Sequence, residues 1–344
     1  MKKVMIVMSL IFSLVFLSSC ADKNTVPQDT KLPPTINDYF SFAENIKYVY
    51  EGQGNEYASY IVFVDFLTEN RVQLRSNNGG TEMVKVLENK EGKLTMLLSR
   101  TESYYRESLT QSPNDNPEIL LQEPLIVGTS WTLADNRKRS ISNTAAEATT
   151  PAGTYKALEV TTEGKDSKTL DYYAPNIGLV KTIFLSNGSE ISSSLSKIDK
   201  NIPFTQTVQF YYPDVNENKL YFVSKKLSFH TNDLTKIAFE KAFKDSPKET
   251  LVKVLSPNVK IKSLYLNHDN AVYADFTKEL VSEMNAGSGT ESMILQSITN
   301  TLGAYYGADK VYITLEGSPY SSGHIMMKKG ELFTVNLENS VELK

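Results

Sequence analysis

Apolar and polar residues alternate in short runs through the first half of the chain, and turn signals separate the runs. Residues 57–66 are rich in aromatic and β-branched side chains, and residues 71–75 alternate polar with apolar positions. Further strands are predicted over residues 82–87, 93–98, 154–160, 170–173 and 179–185, with turns such as Asn77-Asn78-Gly79-Gly80 between them. This pattern predicts a mainly β domain over residues 37–203, built as a curved antiparallel sheet or a sandwich.

The periodicity changes after residue 203. Strands are predicted over residues 208–212, 219–223, 259–266, 271–276 and 310–315. A helix is expected to begin at Asn232 and Asp233, to end before Pro247, and to be followed by a short helix over 278–284. The expected apolar face of the first helix holds Leu234, Ile237, Ala238 and Ala242, with Phe239 and Phe243 beside it. This order predicts an α+β domain over residues 204–344, with two helices packed on one sheet.

The second long helix has its own start and stop signals. Ser288 and Glu291 have the spacing of a capping box, in which each side chain bonds the other residue's backbone amide. One stripe of this helix carries Ile294, Ile298, Thr301, Leu302 and Tyr305. Gly307 is expected to end it.

The chain begins with the pattern of an export signal. Met1-Lys2-Lys3 is basic, residues 4–17 are apolar apart from serines, and Leu17-Ser18-Ser19-Cys20 closes the run. Leu-Ser-Ser-Cys resembles the bacterial lipobox, in which the cysteine receives a diacylglyceryl group and becomes the mature N-terminus. We therefore predict a lipoprotein signal peptide over 1–19, lipidation of Cys20, and a proline-punctuated tether over 20–36. The alternative is an ordinary signal peptide that contains a cysteine.

The single cysteine and the net charge limit the kinds of site and partner that we expect. Cys20 is the only cysteine, so its lipidation would leave no thiol for disulfides, catalysis or metal binding. The formal charge of -4 becomes -6 when Lys2 and Lys3 leave with the signal, which argues against a nucleic-acid partner. The expected location is the extracytoplasmic face of the cell membrane, to which the lipid on Cys20 anchors the protein.

Two segments of the first region resemble known proteins. Residues 150–160 and 172–181 resemble a β-rich domain of bacterial envelope lipoproteins. The resemblance implies a fold, and a curved sheet of this kind could hold an acyl chain or a sugar. The alternative is that these positions are core, and for Trp131 a core position at a strand end is the preferred interpretation.

The second region resembles the GerM domain of spore germination and sporulation proteins over about residues 207–334. The resemblance is carried by the runs Val272-Tyr273-Ala274-Asp275-Phe276-Thr277, Gly287-Ser288-Gly289-Thr290-Glu291, Ile298-Thr299-Asn300-Thr301-Leu302, Val311-Tyr312-Ile313, Gly317 and Gly323-His324. It implies structural, turn or capping roles for Asp275, Phe276, Thr277, Gly287, Ser288, Glu291, Thr301, Gly317 and Gly323. It also implies a non-enzymatic protein, similar in fold to domains that build rings and channels between membranes. The chain departs from the family at Ser246-Pro247, where Gly-Pro is usual, and it has one copy where the namesake has two.

Catalytic and metal patterns are weak. His230, His268 and His324 are the only histidines, and none has a second histidine at zinc-ligand spacing. His324 follows Ser321-Ser322-Gly323, which is unlike a nucleophile elbow. Gly287-Ser288-Gly289 could hold an anion at a helix start, but helix capping accounts for it. No metal, cofactor or enzymatic activity is expected.

These observations favour a lipid-anchored, non-enzymatic scaffold or assembly protein of the cell envelope, acting in sporulation or germination. Its partners would be the membrane, through Cys20, and an envelope protein or a second copy of the chain. The alternative is a module that binds cell-wall glycan or lipid, with peptidoglycan or lipid as partner. An envelope hydrolase is the third hypothesis.

Overall fold

A curved antiparallel sheet of twelve strands forms the first part of the protein. A computed structural model describes residues 33–344, and the predicted signal peptide, Cys20 and most of the predicted tether lie outside these residues. Ile36, the last residue of the predicted tether, is buried at the start of a short helix, α1 (Ile36–Tyr39). The strands are β1 Ile46–Gln53, β2 Tyr60–Leu67, β3 Arg71–Asn77, β4 Glu82–Lys90, β5 Lys93–Arg100, β6 Glu118–Gln122, β7 Ser130–Thr132, β8 Lys138–Thr150, β9 Gly153–Glu163, β10 Ser167–Ala174, β11 Gly178–Ser186 and β12 Ser189–Lys200.

The first and last strands of this sheet pair with each other, and side-chain contacts join its two edges. The order is β6-β5-β4-β3-β2-β1-β12-β11-β10-β9-β8-β7, so the first strand pairs with the last. At the edges, the Trp131 indole donates to the carbonyl of Ile119 at 3.0 Å, and Arg139 Nη2 donates to Glu118 Oε1 at 2.7 Å. These contacts join the β7–β8 hairpin to β6. The sheet therefore curls around an interior, as the alternating pattern predicted.

Several strands of this sheet were not predicted. β8 and β12 are long but rich in serine, threonine and charged residues, and β8 reads as Lys-Arg-Ser-Ile-Ser-Asn-Thr-Ala-Ala-Glu-Ala-Thr-Thr. Such strands form because both neighbours offer backbone partners, a tertiary effect that outweighs their weak apolar alternation. Trp131 is buried, as expected for a core position.

The second part of the protein is α+β, as predicted, but its strands form two hydrogen-bonded sheets instead of one. Three strands form one sheet, in the order β13 Phe204–Asp214, β14 Lys219–Phe229 and β20 Ser340–Glu342. The other sheet contains β15 Ile261–Leu266, β16 Val272–Phe276, β17 Lys310–Leu315, β18 Ser318–Pro319 and β19 Phe333–Thr334. The central pair, β16 and β17, is parallel. The chain between these strands must therefore cross from one end of the sheet to the other, and helices make that crossing.

Three helices belong to this part: α2 Thr235–Lys244, α3 Glu279–Ser282 and α4 Ser288–Tyr306. Phe239 and Phe243 of α2 and Ile298 and Leu302 of α4 are buried in one core between the helices and the strands. Gly307 ends α4 in the left-handed conformation, as predicted. No helix within residues 33–344 is long and apolar enough to cross a membrane.

Two predictions for α2 were wrong. The helix begins at Thr235, and Asn232 does not cap it, because the Asn232 side chain bonds the backbone of Leu67 on β2 in both directions. The apolar face is also rotated from the one expected. Leu234 and Ile237 are 50% and 55% exposed, because the core takes the two phenylalanines that were placed beside that face.

A buried charged cluster joins the curved sheet to the second part of the protein. Asp65 on β2 accepts from Arg75 Nε at 3.0 Å and lies 3.6 Å from Arg106 Nε. Arg106, in the loop between β5 and β6, also donates to the backbone carbonyls of His230 and Asp233. Thr235 at the start of α2 donates to the Arg106 carbonyl at 2.6 Å. Residues 34–344 pack as one compact unit across this junction.

Candidate functional site

Glu291, in the first turns of α4, is the centre of the candidate site. The predicted capping box is wrong: Gly287 is the N-cap, and no side chain caps the helix. With the helix starting at Ser288, Glu291 is the fourth helical residue, one position beyond that from which a capping-box carboxylate reaches back. The carboxylate instead points towards the segment after β18.

Three side chains of that segment bond the Glu291 carboxylate. The Tyr320 hydroxyl donates to Oε1 at 2.7 Å, and the Ser322 hydroxyl donates to the same oxygen at 2.5 Å. His324 Nδ1 lies 2.7 Å from Oε2. Glu291 is only 3% exposed, so these contacts replace the water that it loses on burial.

A tight turn sets the positions of Ser322 and His324. The Ser322 amide donates to the Ile325 carbonyl at 2.8 Å, while the Ser322 hydroxyl accepts from the amides of His324 and Ile325 at 3.1 and 3.0 Å. One hydroxyl therefore both closes the turn and donates to Glu291. Gly323 lies at the tip of this turn, where an added Cβ would meet no neighbouring atom within 4 Å.

The contacts favour ionisation of Glu291. Burial acts to raise the pKa of this carboxyl, but hydrogen bonds from Ser322, His324 and Tyr320 outweigh it and hold the pKa below its ordinary value. An ionised Glu291 in turn fixes the orientation of the His324 ring through Nδ1. The buried carboxylate is thus a fixed negative charge beneath a half-exposed imidazole.

The pair borders an open cavity of about 400 Å³. One wall is the chain between α3 and α4, including Asn285 and Gly287, and the other contains Tyr320, Gly323 and His324. No hydrogen bond joins His324 Nε2 to any residue in the described range 33–344, and this side of the ring remains available to a binding partner. The arrangement can bind a polar group at its imidazole edge.

The order of contacts differs from that of a serine hydrolase. In a catalytic triad the imidazole lies between the hydroxyl and the carboxylate, so that it can take the hydroxyl proton. Here the Ser322 hydroxyl donates directly to Glu291. The Ser322–Glu291–His324 arrangement therefore has no nucleophile activated by the histidine.

The predicted motif residues fall into two groups. Gly287, Glu291 and Gly323 border the cavity, although Glu291 and Gly323 are 32 positions apart in the chain. The other six motif residues do not line the cavity. They are Asp275, Phe276, Thr277, Ser288, Thr301 and Gly317. Ser288 is exposed at the start of α4, and the contacts of the other five are structural.

Asp275 connects neighbouring strands of the five-stranded sheet. Its Oδ1 accepts from the Thr314 hydroxyl at 2.6 Å and from the Gly317 amide at 2.8 Å. Gly317 has a φ of 83°, which the β17–β18 turn requires and which a glycine adopts without strain. The aspartate and the glycine therefore fix this turn together.

The remaining motif residues hold the core together. Phe276 is fully buried, and the Thr277 hydroxyl accepts from the Lys260 amide at 3.1 Å. Thr301 is buried inside α4, and its hydroxyl accepts from the Tyr211 amide of β13 at 3.1 Å. The Thr301 contact ties the helix to the three-stranded sheet.

Sequence reasoning missed Tyr320 and Ser322 and did not pair His324 with Glu291. The only signal was the coincidence of Gly323-His324 with the end of the family resemblance. Of the other histidines, His230 lies 3.7 Å from Asp233 Oδ2 and His268 is exposed in a turn. Cys20, the predicted lipidation site, lies outside the described residues.

A family model matches a segment within the second part of the chain. Residues 209–321 match the family model Germane, described as sporulation and spore germination. The tandem GerMN domains of the sporulation protein GerM from Bacillus subtilis are similar, with 20% identity over 38% of this chain and 46% of that chain, at a TM-score of 0.28. The first GerMN domain of the same protein is 25% identical over 33% of this chain and 86% of that chain, at a TM-score of 0.26.

A third solved structure is similar over part of the chain. A protein inferred to be exported, with a YmcC-like fold, from Bacteroides fragilis is 16% identical over 47% of this chain and 99% of that chain, at a TM-score of 0.31. No curated protein matches the chain. Residues 209–321, which lie in the second part of the chain, are therefore similar to the Germane family of sporulation and spore germination, and the match covers less than half of the chain.

Proposed function

We propose that this protein is a non-enzymatic scaffold, anchored by a lipid on Cys20 to the extracytoplasmic face of the cell membrane, which acts in sporulation or spore germination. The Germane domain at residues 209–321 is the observation that carries the proposal. The sequence Leu17-Ser18-Ser19-Cys20 behind an apolar run supports the anchor. The Ser322 hydroxyl donates to Glu291 and not to His324, and this geometry argues against the hydrolase hypothesis.

The cavity beside His324 is the proposed contact site for an envelope protein partner. Motif residues from two distant segments, Gly287 with Glu291 and Gly323 with His324, meet there. Met326, two residues after His324 and paired with Ser321 in the same turn, is 80% exposed and offers an apolar side chain. Interfaces between proteins combine apolar anchor residues with oriented polar contacts. Met326 and the Glu291–His324 pair offer one of each.

The test of the biological role is complementation of a deletion strain. We expect deletion of the gene to lower the yield of heat-resistant spores or the rate of germination, and the wild-type gene to restore it. A His324→Ala allele should accumulate to wild-type levels and fail to restore the phenotype. Normal spores and normal germination after deletion would refute a role in either process.

The anchor is tested separately by Cys20→Ala. Without the thiol no diacylglyceryl group can be attached, so the variant should move from the membrane fraction to the soluble or secreted fraction. A Ser19→Ala variant, which keeps the thiol and a small neighbour, is the matched control and should stay with the membrane. Retention of Cys20→Ala in the membrane fraction would show that the lipid is not the anchor.

A further inference from the structure

The curved sheet encloses a second and larger cavity on its concave side. Its volume is about 590 Å³, within the roughly 300–1,000 Å³ that is usual for small-molecule sites. The walls come from strands at both ends of the sheet order, including β2, β4, β6 and β10, because the sheet edges meet through Trp131 and Arg139. A single layer of backbone therefore surrounds the space.

Aromatic rings form much of the wall. Six of them are Tyr39, Phe42, Tyr48, Tyr50, Tyr60 and Tyr173. Tyr50 and Tyr60 stack with ring centroids 4.5 Å apart, so this part of the wall is already ordered. A seventh ring, that of Tyr57, is about half exposed and also lines the cavity. Six of the seven rings are tyrosines, and each tyrosine brings a hydroxyl as well as an apolar ring face.

Several polar groups in the cavity have no protein partner. Tyr48 and Tyr173 are 5% and 7% exposed, and neither hydroxyl is hydrogen-bonded to a residue of the described chain. The Lys85 ammonium, from β4, likewise has no hydrogen bond or ion pair with residues 33–344. Burial raises the pKa of Tyr48 to about 12 and lowers the pKa of Lys85. These polar atoms keep some accessible surface, so they face the open cavity and can bond water or a ligand there.

An acceptor lies in the same cavity as these donors. Asp171 on β10 accepts one hydrogen bond, from the Thr182 hydroxyl at 2.7 Å, and has further acceptor capacity. Burial raises the pKa of this carboxyl, an effect that the Thr182 hydrogen bond and the charges of Arg139 and Lys85 oppose. The other charged groups are already paired, since Arg139 bonds Glu118. Lys85 and Asp171 thus offer one donor and one acceptor to a ligand.

We propose that this cavity binds a short neutral saccharide. A sugar ring has apolar C–H faces that pack on tyrosine rings and hydroxyl groups that both donate and accept hydrogen bonds, so that it can satisfy Lys85, Asp171 and the free tyrosine hydroxyls together. A fatty acyl chain would pack on the rings but leave Lys85, Tyr48 and Tyr173 unpaired in an apolar environment, which is unfavourable. A strongly anionic ligand would find only one unpaired cation, Lys85, because Arg137 and Arg139 already pair with Asp135 and Glu118.

The test is isothermal titration calorimetry of the purified full-length protein with chitotetraose, maltotetraose and, as the lipid probe, sodium dodecanoate. We expect at least one of the two saccharides to bind. Lys85→Met keeps the aliphatic stem and removes the ammonium, and it should weaken saccharide binding at least tenfold. Tyr173→Phe removes only a hydroxyl and should weaken binding several-fold. Lys156→Met, at an exposed position on β9, is the matched control and should bind as the wild type does.

The variants' circular dichroism spectra and unfolding midpoints establish that they are folded. Should Lys85→Met fail to fold, Tyr173→Phe decides, because a tyrosine-to-phenylalanine change keeps the ring packing. Failure of both saccharides to bind the wild-type protein would overturn the proposal, and so would binding of dodecanoate alone. Saccharide binding that neither variant weakens would overturn it too. These outcomes are independent of spore formation, so they leave the proposed role of the Germane domain unaffected.

Discussion

Glu291 is the residue on which the candidate site depends. Its carboxylate accepts from two hydroxyls and lies against His324 Nδ1, and it is almost fully buried. Replacing Glu291 with glutamine keeps the shape of the side chain but removes the negative charge that Tyr320, Ser322 and His324 bond. We expect Glu291→Gln to lower the free energy of unfolding by about 1–3 kcal/mol at neutral pH, the usual cost of losing hydrogen bonds to a buried charged group.

The pH dependence of this loss follows from the direction of the pKa shift. Because the folded state holds the pKa of Glu291 below its ordinary value of 4.5, the carboxylate contributes its full stability above that pH. The contribution falls as the pH drops below 4.5 through the lowered pKa. The difference between wild type and Glu291→Gln in urea denaturation should therefore shrink in that acid range.

An exposed carboxylate elsewhere provides the control for this experiment. Glu249→Gln, in the exposed chain after α2, should leave the unfolding free energy nearly unchanged at every pH. A constant difference between wild type and Glu291→Gln from neutral pH into the acid range would contradict the assigned ionisation of Glu291.

At the scale of elements, α4 packs so closely that one of its glycines has no room for a side chain. A Cβ on Gly303 would lie 2.3 Å from Val335 Cγ2 and 2.7 Å from the Ala308 carbonyl oxygen. Gly-to-Ala changes inside helices normally stabilise by up to about 1 kcal/mol. We expect Gly303→Ala to destabilise instead, by about 1–3 kcal/mol, because the extra methyl forces the C-terminal segment away from the helix.

The same helix provides a matched comparison. A Cβ on Gly289 would meet no neighbouring atom within 4 Å, so Gly289→Ala should be neutral or slightly stabilising. Thermal or urea unfolding of the two variants measures both effects. Equal stability of Gly303→Ala and Gly289→Ala would show that the packing of α4 against Val335 is looser than described.

The elements themselves were largely readable from the sequence. α4 and β17 match their predicted positions because strong apolar periodicity and a terminal glycine define them. β8 and β12 were missed because their stability comes from pairing with neighbours far along the chain or on both sides. Asn232 was misread for a similar reason: a residue that suits a helix cap bonds β2 instead, and no local pattern reports a contact with residue 67.

The candidate site was less predictable than the fold. Family resemblance indicated Gly287, Glu291 and Gly323, but the spacing between Ser288 and Glu291 led to a helix-capping role for Glu291. Its true partners, Tyr320 and Ser322, depend on how the segment after β18 returns to the start of α4. The path of this segment cannot be predicted from the sequence, because the parallel pairing of β16 with β17 and the turn at Ser322 determine it.

At the scale of the whole molecule, the buried cluster of Asp65, Arg75 and Arg106 couples the curved sheet to the second part. Arg106 and Asp65 are each 1% exposed, so removing one partner leaves buried groups unpaired. We expect Arg106→Met to lower the free energy of unfolding by about 3–5 kcal/mol. Lys156→Met, which removes an exposed cation of similar length, should have almost no effect.

The same junction predicts that both parts of the wild-type protein unfold together. Trp131, the only tryptophan, reports on the curved sheet, whereas circular dichroism in the helical bands reports mainly on α2 and α4. The two signals should give coincident urea transitions. Two separated transitions would mean that the Asp65–Arg106 cluster does not couple the parts.

The scaffold role that we propose requires a protein partner at the cavity beside His324. The most direct measurement is photo-crosslinking in living, sporulating cells with a benzoylphenylalanine at position 326, and at exposed Glu147 on β8 as the control position. We expect a discrete protein adduct from position 326, its loss when His324→Ala is added, and no such adduct from position 147. Absence of an adduct at position 326, or the same adduct from both positions, would contradict the scaffold role.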